Sequence, residues 1–600
     1  MATIYHHRTL RACNWVSDFS KKIICLVTIG IGINGYSPLK RLSLVKADLF
    51  NISHMKIKKL PPASTCHDFP LLIKSLLAYS PMLEPEREII YRDLVRYNYY
   101  TFNERVRRLS NVLQKLGLQG GETVAVMDYD SHRYLECYFA VPMTGNVLHM
   151  INWRLSPAQI LYTINHAEDA VLIVHTDFLP IIEKFSGEMP TVRHIIIATD
   201  EPATYTADPD YESLLNVSGT NYEFPDFDEN AIATTFYTTG TTGDPKGVYF
   251  THRQLVLHTL NLAVTMGFVE SASTRCRSDD VYMPLTPMFH VHAWGFPYLA
   301  TMFSMKQVYA GKLTPPIVAD LIKRERPTFS HCVPTILRMI LLCPEVKEMD
   351  LSGWKVMIGG AALTKALAKL ALERGVDVSV GYGMSETCPV IATSYIRMAD
   401  AEMDMEGQLA ARTRSGIPTI LTDLQVWNES GSPVEPKDKE SGEIVVRSPW
   451  LTQSYVKDPG RGAELWRDGY LHTGDVATVN AKHSLKICDR IKDVIKSGGE
   501  WISSIDLEGL IGLHAAVAEV AVVGFPHPKW GERPYAFVVL HSDAPVRQPE
   551  MKDHIQQFID LGQISKWAMP EEFIFVTAIP KTSVGKIDKK RIRAEWGQGH

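Results

Sequence analysis

Short apolar runs alternate with amphipathic ones through most of this chain, and that alternation does most to narrow its fold. Residues 122–127 and 170–175 are bounded apolar segments of strand length, and between them residues 131–141 repeat apolar side chains at helical spacing. Such alternation predicts α/β layers with largely parallel sheets. Around residues 423–428 and 443–447 the strands shorten and turns such as 428–431 intervene, which predicts a smaller β subdomain closing the large one. Beyond Asp489 the strand-like runs 518–523 and 572–576 predict a compact α+β unit.

Composition fits a large soluble enzyme and excludes some partners. The chain has 600 residues, 45% of them hydrophobic and 22% charged, and a formal net charge of −5 that offers no general attraction to nucleic acid. Its length corresponds to roughly four units of domain size. The nine cysteines show no Cys-x-x-Cys spacing, so neither a zinc site nor a disulfide framework is indicated, and a reducing compartment fits.

The segment richest in chemistry is Tyr237-Thr238-Thr239-Gly240-Thr241-Thr242-Gly243-Asp244-Pro245-Lys246-Gly247. Its glycines let backbone N–H groups approach phosphate oxygens, its threonines add hydroxyl donors, and Lys246 adds a positive charge. A Walker-type loop ends in Gly-Lys-Ser/Thr and opens a helix. Here the lysine follows a proline and precedes Gly247, so the kinase and GTPase pattern fails.

Further motifs follow. After the apolar run 376–380, which reads as a buried strand, comes Gly381-Tyr382-Gly383-Met384-Ser385-Glu386-Thr387, placed where a strand ends and ligands bind. Tyr382 offers a flat face for a purine, Thr387 a hydroxyl for a phosphate, and Glu386 a hard oxygen suited to Mg²⁺. Upstream, Gly359-Gly360-Ala361 follows the strand-like run 355–358. Asp475 closes Trp466-Arg467-Asp468-Gly469-Tyr470-Leu471-His472-Thr473-Gly474-Asp475, and its carboxylate can accept two hydrogen bonds at once, matching a ribose diol. From Asp489 to Lys496, five of eight residues are charged, and Ser497-Gly498-Gly499-Glu500-Trp501 follows. Near the C-terminus stands Pro580-Lys581-Thr582-Ser583-Val584-Gly585-Lys586.

In this order the motifs resemble those of the adenylate-forming superfamily: acyl-CoA synthetases, firefly luciferase and the adenylation domains of peptide synthetases. The likeness runs from about residue 61 to 592. It implies ATP, CoA and Mg²⁺ as cofactors, with Thr238, Thr239, Gly240, Thr241, Thr242, Gly243 and Lys246 on the phosphates. It puts Gly360, Ala361, Gly381, Tyr382, Gly383 and Thr387 around the nucleotide, Glu386 on the metal, and Asp475 and Arg490 on the ribose or phosphate. Lys492 falls at a hinge, Gly499 and Trp501 at the pantetheine tunnel, and Lys586 on the adenylation step; Thr238, Glu386 and His290 join Lys586 in the catalytic group. The implied domains are a non-family extension at 1–54, a large domain of layered α/β subdomains with a β subdomain at 55–488, and a small mobile α+β domain at 489–600.

Pro287-Met288-Phe289-His290-Val291-His292-Ala293-Trp294 is aromatic and apolar, which suits an acyl tail, and it resembles the bacterial medium- and long-chain fatty acyl-CoA synthetases. His290 and Trp294 are the substrate candidates, Trp294 as a tunnel gate. His-x-His here reads as ring packing, because no Cys or carboxylate cluster stands nearby. The likeness implies a ligase that turns a medium- to long-chain fatty acid into its CoA thioester through acyl-AMP. Transfer to a carrier-protein phosphopantetheine, or an aryl or branched acid, stays open, as does a homodimer. Two departures from the family pattern, Gln453-Ser454-Tyr455 and Val584-Gly585, read as neutral.

The first 54 residues are basic and match nothing in the family, so an over-extended start and an organelle presequence are both open. The apolar run 23–33 is too short to span a bilayer, and the C-terminal Gly-Gln-Gly-His is no peroxisomal address. The expectation is a cytoplasmic enzyme, or one of an organelle matrix if the presequence is real, not integral to a membrane and at most loosely associated with its surface.

Overall fold

The computed structural model describes residues 58, 60–185, 187–201, 210–238, 244–273, 275–498, 500–541, 546–562, 564–582 and 586–597. They fall into two units, 1–69 and 70–600. In the first, the described residues hold a turn closed by the Cys66 N–H on the Ala63 carbonyl at 2.9 Å.

The second unit carries the α/β architecture expected from the alternation. One sheet has six strands in the order His194–Ala198, Asp169–His175, Thr123–Met127, Val147–Met150, Ile232–Thr238 and Lys246–Thr251; all neighbours are parallel except the last pair. A nine-stranded sheet has a parallel interior built from Asp377–Gly383, Lys355–Ile358, Phe329–Cys332, Val281–Pro284, Lys306–Tyr309 and Glu88–Tyr91, with antiparallel strands at both margins.

The helix His132–Met143 touches strands of both sheets and is buried along its whole length, which is why so few of its residues are charged. Ser131 caps it by accepting the Tyr134 N–H at 3.1 Å. Its one acid, Glu136, is fully buried. It is held by Arg105 at 2.7 Å and by the hydroxyls of Tyr97 and Tyr211, each at 2.7 Å, so the charge is not left unpaired.

The β subdomain is an antiparallel sheet of Asp423–Trp427, Gly442–Arg447, Tyr470–Val479, Trp466–Arg467 and Leu485–Arg490. The C-terminal sheet begins with Ile495–Ser497 and Glu500–Ile502 and continues through Val517–His527, Gly531–Leu540 and Glu572–Phe575. Asp489 and Arg490 therefore belong to the last strand of the β subdomain, and one sheet gives way to the next between Arg490 and Ile495. Among the described residues, no helix is long and apolar enough to cross a membrane.

Candidate active site

Thr238 and Lys246 face each other across the neck of an antiparallel hairpin, the last pair in register between Ile232–Thr238 and Lys246–Thr251. The predicted phosphate-loop residues Thr239, Gly240, Thr241, Thr242 and Gly243 come between them in sequence and lie outside the described residues. The ammonium of Lys246 rests over the ring of Tyr455, 4.8 Å from its centroid.

The second motif corrects one expectation. Gly381, Tyr382 and Gly383 do not follow the strand; they prolong it to Gly383. The strand exchanges partners, running parallel to Lys355–Ile358 through Val380 and then antiparallel to Val390–Thr393 from Gly381. This brings the Tyr382 hydroxyl to Asp475 Oδ2 at 2.9 Å. Glu386 follows in a short turn, 8% exposed, and accepts the Tyr455 hydroxyl on Oε1 at 2.7 Å. Thr387 also departs from expectation. Its side chain is fully buried, and its hydroxyl is engaged by the Met384 and Pro389 carbonyls, so it shapes the turn under Glu386 instead of turning outward toward a phosphate.

Asp475 and Arg490 are directly opposite on adjacent antiparallel strands, and Arg490 Nε lies 3.1 Å from Asp475 Oδ1. Both carboxylate oxygens thus have a protein donor, and a carboxylate with about four lone-pair sites still has room for further donors.

Lys586 reaches this cluster from the C-terminal domain. Its loop is tied by the Thr582 N–H on the Lys586 carbonyl at 2.7 Å and by the Lys586 N–H on Thr582 Oγ1 at 3.2 Å. The side chain passes across Gly360, where an added Cβ would sit 3.2 Å from Lys586 Cε; φ at Gly360 is +75°, so glycine serves both the turn and the passage. Burial and the neighbouring Arg490 charge lower the Lys586 ammonium to about 8, with Asp475 and Glu386 acting in the opposite direction. Ala361 is exposed beside Gly360.

The segment expected to meet the acyl chain is built differently. Val291, His292, Ala293 and Trp294 all have positive φ, between 45° and 61°, and Gly295 follows at 80°. A left-handed run of non-glycine residues is unfavourable by roughly 1–2 kcal/mol per residue, so the surroundings must hold it. Asp130 accepts the Met288 N–H at 2.7 Å ahead of the run, and His292 Nε2 lies 2.7 Å from Thr234 Oγ1 within it. The His292 ring meets Phe236 and Phe250 edge to face, as ring packing predicts. No group of three His, Cys, Asp or Glu residues able to hold a metal occurs among the described residues.

Trp294 is 5% exposed, its ring 4.9 Å from His331 and its Cη2 2.9 Å from where a Cβ on Gly359 would lie. His290 stands at the start of this run, lowered to about 3 by burial, Lys586 and Arg154, and is therefore neutral near pH 7.

Two further predicted residues follow Arg490 among the described residues. Lys492 is exposed in the turn between the two sheets. Trp501 lies on the C-terminal sheet under the Lys496 ammonium, 4.9 Å from its centroid, and lines a cleft with Lys439, Val476, Cys488 and Ile564. Gly499 lies outside the described residues.

Sequence reasoning missed Tyr455. Its motif was read as a neutral departure, yet this side chain touches both Glu386 and Lys246. The signal was its place after the buried Trp450 and Leu451, in a segment pinned to the hairpin. Ser454 beside it is tolerated because Gly462 faces its hydroxyl without a side chain.

Comparison with known proteins agrees with this geometry. A model of the "AMP-binding enzyme" family matches residues 79–456, and one of the "AMP-binding enzyme C-terminal domain" matches residues 506–586. A long-chain-fatty-acid–CoA ligase of Thermus thermophilus is 37% identical over 89% of this chain and 97% of its own length. A 3-methylmercaptopropionyl-CoA ligase of Ruegeria lacuscaerulensis is 35% identical over 88% and 97%. A medium-chain-fatty-acid–CoA ligase of Ectopseudomonas oleovorans is 33% identical over 88% and 96%. Among solved structures, the anthranilate CoA ligase AuaEII in complex with anthranoyl-AMP shares the fold, with a TM-score of 0.77 at 24% identity over 88% of this chain and 98% of that one.

Proposed function

This chain belongs to the AMP-binding enzyme family, and from that membership we propose that it is an AMP-forming ligase joining a fatty acid of medium to long chain to CoA. The observation that carries the reading is the passage of Lys586, from the C-terminal loop, across Gly360 to a place where the charges of Arg490, Asp475 and Glu386 all act on its ammonium. A free carboxylate acylates poorly because its leaving group would be oxide. Attack of a carboxylate oxygen on the α-phosphorus of ATP forms a mixed anhydride and releases pyrophosphate. The CoA thiol then attacks the acyl carbon, loses its proton, and AMP departs.

In this reading Thr238 and Lys246, with the threonines and glycines between them in sequence, hold the β- and γ-phosphates. Asp475 takes the ribose hydroxyls, Arg490 the adjoining oxygens, and Tyr382, Gly360 and Ala361 flank the base. Lys586, as a cation, offsets the negative charge that gathers on the α-phosphate. Neutral His290 lies at the carboxylate end of the acyl site and Trp294 along its wall. Trp501 stands under Lys496 in a cleft lined by Lys439, Val476, Cys488 and Ile564, and a second orientation of the C-terminal domain, turned about Lys492, would serve thioester formation.

Glu386 suits Mg²⁺. Tyr455 fixes one oxygen, and Oε2 accepts no hydrogen bond from the described residues. A single carboxylate without a protein cage fits an ion that completes its shell with phosphate and water. When bound, Mg²⁺ would neutralise phosphate charge.

The fatty-acid assignment is supported by the aromatic acyl segment and by the names of the Thermus and Ectopseudomonas relatives. Its test is a panel of acids of graded length, including a short thioether acid, scored for AMP and pyrophosphate with and without CoA. The reading expects both products to depend on the acid and a thioester to appear only with CoA; thioester on an added carrier protein but not on CoA would overturn the acceptor assignment.

A further inference from the structure

Between the phosphate hairpin and the Glu386 turn runs the segment 452–456, which joins them through its backbone. The Val456 N–H donates to the Gly247 carbonyl at 2.8 Å and the Thr452 N–H to the Glu386 carbonyl at 3.0 Å, while Thr452 Oγ1 donates to the Tyr249 carbonyl at 3.1 Å. Tyr455 itself bridges to Val248. One side chain of this segment enters the site from below. Tyr455 is 5% exposed; its hydroxyl donates to Glu386 Oε1 at 2.7 Å and its ring face lies 4.8 Å beneath the Lys246 ammonium.

Two groups of opposite charge, on different elements, are thus aimed by one rigid phenol. A carboxylate with one oxygen fixed presents the other in a set direction, and an ammonium held over a ring face keeps its free hydrogens turned away from the ring.

We propose that Tyr455 is a positioning residue for the adenylation site, directing Glu386 Oε2 toward the metal and Lys246 toward the nucleotide phosphates with a single side chain. The proposal rests on the adenylation reading above and adds a residue to it.

The test uses full-length protein and two substitutions. Tyr455→Phe keeps the ring under Lys246 and removes the hydroxyl; Tyr455→Leu removes both. ATP binding is measured by calorimetry without metal and at graded Mg²⁺, beside acid-dependent pyrophosphate exchange. Removal of an outer-shell partner typically weakens metal affinity by 10- to 100-fold, so Tyr455→Phe should raise the Mg²⁺ midpoint by about tenfold while metal-free ATP affinity stays within about twofold. Tyr455→Leu should add a loss of about threefold in metal-free ATP affinity, the share of the lost ring face.

A third protein, Glu386→Gln, separates positioning from packing: combined with Tyr455→Phe it should raise the midpoint no further than Glu386→Gln alone. An unchanged Mg²⁺ midpoint in Tyr455→Phe, or full additivity with Glu386→Gln, overturns the proposal. Wild-type protein that binds MgATP but shows no acid-dependent exchange would defeat the adenylation reading instead, leaving the binding measurements to decide the role of Tyr455.

Discussion

The two regions to which the proposed function gives the nucleotide and the acyl chain are built on opposite plans. Around Asp475, polar side chains project from regular strands, and their meeting follows from register: Asp475 opposite Arg490, Thr238 opposite Lys246. Around Trp294, the side chains are aromatic and packed, and the backbone is what departs from the ordinary, with a left-handed run held by Asp130, Thr234 and Gly295. The first plan fixes charges whose chemistry is the same for any acid. The second, on the proposed function, shapes a surface on which small shifts of the Trp294 indole would alter which acid fits.

If the two plans are separable, perturbing one should leave the other's signature intact. The largest effect is expected from Lys586→Ala, which should slow acyl-AMP formation by roughly a hundredfold or more while thioester formation from supplied acyl-AMP stays largely unchanged. Single-turnover assays of each half-reaction check this, and equal losses in both would remove the assigned role. Asp475→Asn takes the anionic partner from Arg490 and an acceptor from Tyr382; nucleotide affinity should fall by about 10- to 100-fold with the ranking of acids unaltered.

Next comes pH. Lys586 is lowered to about 8 and only its protonated form is cationic, so kcat/KM for adenylation should fall by about tenfold per unit as pH rises above 8, and Lys586→Ala should lack that limb. On the acyl side, Gly295→Ala places a Cβ 2.8 Å from His258 Nδ1 at a φ of 80°, and should lower stability by roughly 1–3 kcal/mol in denaturant unfolding. The smallest change in rate is expected from Trp294→Ala: the preferred chain length should shift by a few carbons, with ATP dependence kept. An identical acid profile would assign Trp294 to packing alone.

The contrast also explains what could be read from sequence. Glu386, Asp475, Arg490 and Lys586 stand out in the sequence because ionic chemistry requires particular residue types in a particular order; the fold pairs Asp475 with Arg490 and puts Lys586 within reach of their charges and that of Glu386. The parallel layers were legible from bounded apolar runs such as Asp169–His175. Strand extension through Gly383 was hidden because two glycines and a turn motif suggest an end, whereas a change of partner strand keeps the backbone extended. The turn-shaping hydrogen bonds of Thr387 are hidden in the sequence because a hydroxyl next to an acid does not reveal which carbonyls lie behind it. Tyr455 was passed over because its partners lie 69 and 209 residues away, a distance only the packed fold closes. The left-handed run at residues 291–294 leaves no local signature, since none of its four residues is a glycine.

The most direct test of the adenylation centre is a rapid-quench reaction of wild-type protein with ATP, Mg²⁺ and a fatty acid in the absence of CoA. The account predicts acyl-AMP and pyrophosphate in equal amounts, approaching one per active site, with the acyl-AMP consumed when CoA is added. Formation of ADP with an acyl phosphate, or of no nucleotide product dependent on the acid, would contradict it.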